Sequence, residues 1–377
     1  MELKILHLID SGGLYGAEKM LLSLVKEQVQ QGLQPMILSA GELGIDEKPL
    51  EAEARRKGLP VTAWRMKPGL NLKESWKILK WAQGNEYDLL HSHGFKFNVL
   101  LAMYPEKFRR IPMIATLHGY VHASRFSKLW LYECLDRHAI RRMSGVVLVA
   151  EAMKKEFLES LSAESTEVIS NGLNIAELEE LSSAPLDEPL NSFVDTHYPI
   201  ILAVGRLSRE KGFDRLIEAF PAIKKKYPKV GLVIVGEGTL RKSFERLVQD
   251  QGIKEDVLMP GYCNKVPALL VRSKVVVMPS LTEGLPITLL EAMALKTPVI
   301  ASAVGEIPKV LGNGAGGDLL ANVEPKAIAD TIEDCFASGV KGTKQVEWGC
   351  LAVQNNYSAE SMADQYLTFY NRVLEKR

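Results

Sequence analysis

The chain of 377 residues has few cysteines, and those few do not cluster. Cys134, Cys263, Cys335 and Cys350 show neither metal-ligand spacing nor a disulfide framework. A reducing, cytoplasmic setting is therefore expected. No apolar run approaches the ~18 residues needed to span a bilayer. The start, Met1-Glu2-Leu3-Lys4, enters a strand pattern directly, without the charged head and apolar core of a signal peptide. There is no excess of charge either, since 46 Lys+Arg balance 46 Asp+Glu. Without a basic surplus or a matching motif, a nucleic-acid partner is not expected. Short repeats and low-complexity tracts are also missing.

With 46% hydrophobic and 24% charged residues, the composition is that of a globular protein, and the length suits two domains. Both halves alternate short apolar strands with amphipathic helices, the pattern of α/β domains with doubly wound parallel sheets. Residues 1–184 form one expected domain and 200–358 the other. Between them, 185–199 reads as a linker, because Pro185, Pro189 and Pro199 stand among Ser, Asp and Asn. Ligands of such sheets sit beyond the carboxyl ends of the strands, so two facing domains imply a cleft site. The segment 359–377 closes the chain with a helix carrying Met362, Tyr366, Phe369 and Val373 on one stripe. Charge is uneven along the chain: residues 51–150 hold 17 Lys+Arg against 8 Asp+Glu. Such a face attracts an anionic acceptor or an anionic membrane surface, or is ordinary solvated surface. Trp76 and Trp81, with Lys73, Lys77 and Lys80, carry the same two readings, sheet packing being the simpler for the aromatics. Cys134 is expected in a packed core.

The stretch Glu283-Gly284-Leu285-Pro286-Ile287-Thr288-Leu289-Leu290-Glu291 carries the most chemistry. It sets one carboxylate before a helix and a second within it, with Pro286 expected in the first turn. Ile287, Leu290, Met293 and Ala294 have the spacing of one buried helix face. The unpaired N–H groups of a first helical turn form an anion site. Carboxylates beside that anion are costly unless they accept hydrogen bonds from hydroxyls of the same ligand. Phosphates flanked by polyhydroxylated groups describe a sugar nucleotide. Arg206 and Lys211, in a Gly-bounded loop after the strand Ile200–Val204, suit its diphosphate. Gly12, Gly13 and Gly16, after the first strand, allow close backbone approach but match no dinucleotide or phosphate-loop fingerprint. His91 and His93 alternate along a strand, point to opposite faces and are expected in hydrogen-bonding roles. No Asp-x-Asp occurs, so a divalent-metal clamp is not expected, and neither a metal nor a cofactor is called for.

Together these stretches resemble the retaining family-4 glycosyltransferases, whose GT-B fold pairs two Rossmann-like domains. The similarity runs through Gly-Gly-x-x-Gly-Ala-Glu at 12–18, His-x-His at 91–93 and Leu-His-Gly at 117–119. It continues in Ile-Ser-Asn-Gly at 169–172, Val-Gly-Arg-Leu-Ser-x-Glu-Lys-Gly-Phe at 204–213, Val-Gly-Glu-Gly at 235–238 and Glu-x7-Glu at 283–291. The resemblance implies a nucleoside-diphosphate sugar, UDP-linked by preference, bound by the second half. A glycan or lipid-linked acceptor would bind the first, in bacterial surface-polysaccharide or glycolipid assembly. It further implies that Glu291 binds ribose hydroxyls and Glu283 binds the donor sugar. Arg206 and Lys211 would neutralise the diphosphate, with backbone N–H groups at Gly12–Gly13 and across Gly284, Leu285, Pro286 and Ile287. His118 would contact the donor sugar. The last helix usually crosses back onto the first domain. Three positions depart from the family pattern: the loop at 304–309, Ala150 in place of a helix-capping Ser, and Asn174 where Asp is common. A sugar-nucleotide epimerase or hydrolase on the same fold, and a non-catalytic glycan- or nucleotide-binding scaffold, are the competing readings.

Overall fold

The computed structural model describes residues 3–10, 13–14, 16–118, 128–157, 161–339 and 343–376. Its contacts separate two units, Met1–Gly172 with Ala359–Arg377, and Leu173–Ser358. In the first unit seven strands run parallel: β1 Lys4–Ile9, β2 Gln34–Glu42, β3 Val61–Met66, β4 Leu89–Ser92, β5 Met113–Leu117, β6 Gly145–Leu148 and β7 Thr166–Val168. Their order is β3-β2-β1-β4-β5-β6-β7. Strands such as Met113–Leu117 are buried along their whole length, as expected when helices cover both faces. Helix Gly16–Gln30 follows β1 and ends before Gly32, whose φ of 78° belongs to the left-handed region. The closing helix Ala359–Glu375 packs in this unit. Its Met362, Tyr366, Phe369, Tyr370 and Val373 are buried with Ile5, Ile114 and Val147. Each such apolar side chain taken from water contributes roughly 1.5–3 kcal/mol before entropy is charged.

The second unit holds β8 Ile200–Val204, β9 Gly231–Val235, β10 Val257–Gly261, β11 Val275–Met278, β12 Val299–Ser302 and β13 Asp318–Leu320. They order as β10-β9-β8-β11-β12-β13, again parallel. Chain direction across the sheet reverses between β8 and β11. In a doubly wound sheet the crevice beyond that point is where ligands bind.

Several expectations need correction. The chain divides at Gly172, not at 184, and residues 185–199 are no free linker. Leu178, Leu186 and Leu190 are buried in the second unit's core, and helix Leu190–Thr196 is tied down by Arg272 to Asn191 and Asp195. Prolines and polar residues marked an exposed path, but Leu186 and Leu190 anchor it. Cys134 is exposed rather than core. Trp81 packs against the first core, whereas Trp76 is 39% exposed, with the Lys80 ammonium over its ring. Asn174 caps helix Ile175–Ser182 by accepting from the Glu177 N–H, so Asn serves there as Asp would. Ala150 precedes the turn Glu151–Met153 with no side-chain cap.

Candidate active site

Both loops at the second sheet's reversal carry the expected residues. After β8 the chain runs through Gly205 and Arg206 to the short turn Arg209–Lys211; after β11 it runs through Ser280 and Glu283 into helix Ile287–Ala294. They line an open cleft of about 470 Å³ that includes Arg206, Glu210, Lys211, Glu283, Gly284, Pro286, Ile287 and Thr288. The loops are stitched together by Leu281 N–H donating to the Glu210 carbonyl at 2.7 Å. Lys211 Nζ donates to Glu283 Oε1 at 2.6 Å, with the carboxylate nearly buried. The same oxygen accepts from Ser280 Oγ at 2.7 Å. Ser302, at the end of β12, donates in turn to the Ser280 carbonyl at 2.6 Å. Ser280 and Ser302 were not singled out in the sequence, although Ser280 stands only three positions before Glu283.

Gly305 is what lets this loop close. Its φ is 57°, and a Cβ there would overlap the carbonyl oxygen of Glu283. The departing 304–309 loop therefore still braces the site, and Glu306 N–H donates to the Gly284 carbonyl at 3.3 Å.

Pro286 is the N-cap, with extended ψ of 120°, and not the first helical residue. Ile287 opens the helix and is 47% exposed at the cleft, while Leu290, Met293 and Ala294 are buried. The buried stripe thus begins one turn later than its spacing suggested. First-turn N–H groups have no partner within the helix, so the cleft meets the positive end of a helix dipole. Arg206 is exposed and forms no ion pair among the described residues. Its charge helps hold the Glu210 carboxyl below its ordinary range, behind larger contributions from hydrogen bonds of Ser208 and the backbone. The cleft therefore offers one unclaimed cation, one cation held by a carboxylate, and a helix N-terminus. Such a set fits a diphosphate bearing a hydroxylated group. Leu285 and Glu291 do not line the cleft. Leu285 packs on the core below, and Glu291 sits further along the helix, half-buried.

The remaining expected residues belong to the first unit. Gly12 lies outside the described residues. Gly13 is buried after β1, and Gly16 opens helix Gly16–Gln30, where an added Cβ would meet nothing within 4 Å. His118 follows β5, and burial pushes its pKa down to about 4 against the pull of the Glu18 carboxylate. It is therefore neutral near pH 7.

His91 and His93 do not point to opposite faces, and they are joined by His7. β4 ends at Ser92, so His93 leaves the strand and its ring returns to lie 4.0 Å from that of His91. Register places His7 of β1 beside His91. His7 Nδ1 lies 3.0 Å from His93 Nε2, and His7 Nε2 lies 2.8 Å from Gln28 Oε1. His91 bonds the Tyr370 hydroxyl and Thr116 Oγ1, each at 2.8 Å. Burial pushes His7 down to about 4 and holds His91 and His93 well below the usual imidazole range. One ring nitrogen from each of the three lies within 4.8 Å of the others, a spacing that admits a metal ion. Against a cation, both nitrogens of His7 and of His91 are already engaged in hydrogen bonds.

Comparison with known proteins agrees with this architecture. Residues 15–177 match the model of Glycosyltransferase Family 4, and residues 189–347 match that of Glycosyl transferases group 1. The two spans together take in most of the chain. The chain belongs to this family and is a glycosyltransferase of the GT-B type. It is 24% identical over 286 residues to the alpha-D-kanosaminyltransferase of Streptomyces kanamyceticus, covering 72% of this chain and 74% of that one. It is 26% identical over 303 residues to the phosphatidyl-myo-inositol mannosyltransferase of Mycobacterium leprae, covering 79% and 76%. Among solved structures, Anabaena HepE in complex with UDP superimposes with a TM-score of 0.73 at 22% identity, over 98% of this chain and 100% of that one. That likeness concerns the fold.

Proposed function

We propose that this glycosyltransferase moves a sugar from a nucleoside-diphosphate sugar, UDP-linked by preference, to a glycan or lipid-linked acceptor, with retention of anomeric configuration and without a divalent metal. The observation that carries the reading is the meeting of Arg206, Lys211, Glu283 and a helix N-terminus at the reversal of the second sheet. HepE, of the same fold, was solved with UDP and with UDP-glucose, which favours a UDP-linked donor here.

In this mechanism Arg206 and Lys211 meet the diphosphate, assisted by the first-turn N–H groups of helix Ile287–Ala294. Negative charge grows on that diphosphate as the glycosidic bond breaks, so both cations stabilise the transition state more than the ground state. Donor binding has to draw Lys211 from its partner or share it. Once the phosphates hold Lys211, Glu283 Oε1 is released to accept a hydrogen bond from a sugar hydroxyl, with Ser280 keeping the carboxylate in place. Glu291 is assigned to the ribose, and His118 and the loop of Gly12, Gly13 and Gly16 to the donor, on the family resemblance. A neutral His118 exchanges hydrogen bonds with a hydroxyl and adds no charge.

Polysaccharide or glycolipid assembly at the cytoplasmic face of a membrane is the proposed setting. No helix among the described residues is long and apolar enough to cross a membrane. Exposed Trp76 and Phe108 beside lysines suit peripheral contact with anionic lipid, which co-sedimentation with anionic and neutral vesicles tests.

Incubation of UDP-, GDP- and ADP-sugars with candidate acceptors, followed by NMR of the product's anomeric proton, tests the reaction. Retained configuration with a UDP-sugar is expected; inversion, or conversion of the donor without an acceptor, overturns the proposal. Activity is expected to persist in EDTA. Loss that magnesium or manganese restores means that a metal, and not Arg206 with Lys211, neutralises the phosphates.

A further inference from the structure

The first sheet has a reversal of its own, and the loops beside it carry charges that the proposed mechanism does not use. Strand order runs β3-β2-β1-β4, so chain direction changes between β1 and β4. The crevice beyond such a point is a ligand position, as in the second unit. Asp10 directly follows β1. Two residues after β4, Gly94 caps helix Phe95–Ala102, whose second residue is Lys96. The two loops meet: a Cβ on Gly94 would lie 3.5 Å from Asp10 Oδ1, and Lys96 Nζ lies 3.6 Å from Asp10 Oδ2. Lys48 supplies a second ammonium near Asp10. It is 5% exposed and donates to the Ala40 carbonyl of β2. Burial pulls the Lys48 pKa down, and the Asp10 carboxylate is foremost among the charges that oppose this.

Exposure decides what the arrangement offers a ligand. The Asp10 side chain is 30% exposed, whereas that of Lys96 is 17% exposed and Lys48 is buried. Among the described residues the Asp10 oxygens accept no hydrogen bond, since Lys96 stops just beyond that distance. The lysines therefore balance the carboxylate's charge without filling its lone pairs, and the group facing solvent is a hydrogen-bond acceptor. A phosphate meeting that carboxylate is repelled, while a hydroxyl gains a charge-assisted bond. Phe95, next to Gly94, is 42% exposed. Carboxylate and aromatic ring are the two surfaces a sugar uses. Its hydroxyls donate to the first, and its C–H face lies on the electron-rich face of the second.

We propose that Asp10 and Phe95 form the subsite for the reactive end of the acceptor, and that this end is a neutral sugar or related polyol. Asp10 accepts from its hydroxyls and Phe95 meets its ring, so any phosphate or lipid of the acceptor lies away from this crevice. The inference deepens the proposed function and rests on its placing of the acceptor on the first unit.

Saturation-transfer NMR titrations of the full chain test it, because they detect weak ligands. The probes are methyl glycosides of glucose, galactose, mannose and N-acetylglucosamine, with glycerol 3-phosphate as the anionic alternative. At least one glycoside is expected to bind wild type. Asp10→Asn and Phe95→Ala are each expected to weaken it by on the order of tenfold, and Phe95→Trp, which keeps an aromatic face, to retain it. UDP affinity, measured by calorimetry, is expected to stay unchanged in all three variants. Where Asp10→Asn lowers the denaturant midpoint, the exposed Phe95 pair decides. No glycoside bound by wild type overturns the proposal, and so does binding unchanged in Asp10→Asn and Phe95→Ala. UDP weakened in step with the glycoside also overturns it, by placing Asp10 with the donor. Glycerol phosphate bound in place of the glycosides, and lost in Lys96→Gln, overturns it in favour of an anion site. The titrations need no donor: glycoside binding that depends on Asp10 in a chain that binds no nucleoside diphosphate upholds the subsite and ends the donor reading, whereas UDP binding without glycoside binding ends the subsite alone.

Discussion

Glu283 holds Lys211 through one oxygen, and Ser280 holds that oxygen in turn. In the proposed mechanism, the cation assigned to the phosphates is thus stored on the carboxylate assigned to the sugar. Glu283→Ala is expected to leave free UDP bound at least as tightly as in wild type, because Lys211 is released, and to weaken the complete donor. Glu291→Ala is expected to weaken both alike, since its proposed contact is with the ribose that both ligands share. Losing a charge-assisted contact to a hydroxyl costs roughly 1.5–3 kcal/mol, which calorimetry resolves. Free UDP weakened as much by Glu283→Ala as by Glu291→Ala contradicts these roles. The buried histidines make a separate prediction. His7, His91, His93 and His118 have folded pKa values depressed below 6.5, to about 4 for His7 and His118. Below pH 6.5 the unfolded chain takes up protons that the folded chain refuses. Their contribution is therefore complete above 6.5 and is lost as pH falls toward about 4. Each histidine contributes a slope of up to about 1.4 kcal/mol per pH unit in that window. Denaturant midpoints measured from pH 7.5 to 4.5 should fall steadily; a flat profile means these rings protonate in the folded state.

At the scale of elements, packing shows where the tolerance is least. Gly145 opens β6 under the closing helix, and a Cβ there would lie 2.6 Å from Phe369 Cζ and 3.1 Å from Val373 Cγ2. Gly145→Val is expected to lift that helix and destabilise the first unit by about 1–3 kcal/mol, visible as a lowered denaturant midpoint. An unchanged midpoint means that Phe369 and Val373 repack freely. Elements built from continuous periodic sequence were legible in advance: β8 lies at its expected bounds, Ile200–Val204, and the stripe of the last helix is buried as expected. β13 was not, because Asp318–Leu320 is three residues long and has no period to read. The cleft was legible because each half is a local motif directly after a strand. The histidine cluster was not, because His7 meets His91 only through sheet register and His93 only where β4 stops. A lone histidine inside the apolar run Lys4–Ile9 was the one local signal of it.

Taken whole, the molecule places its cations and its histidines on different units, each at the carboxyl edge of a parallel sheet. The second unit offers charge for a diphosphate; the first offers neutral rings whose hydrogen bonds have direction. Family membership explains the pairing of such halves, while the donor's base, the sugar and the acceptor are matters of loop chemistry. The central claim is that the cleft of the second unit is the diphosphate site, and it rests on Arg206 and Lys211 together. Calorimetric titration of UDP, GDP and ADP into wild type and into the Arg206→Ala/Lys211→Ala double variant tests it most directly. At least one of these nucleotides, UDP by preference, is expected to bind wild type and to lose on the order of a hundredfold or more in affinity in the variant, two charge-assisted contacts being worth about 1.5–3 kcal/mol each. A nucleoside diphosphate that binds the double variant as tightly as the wild type contradicts the account.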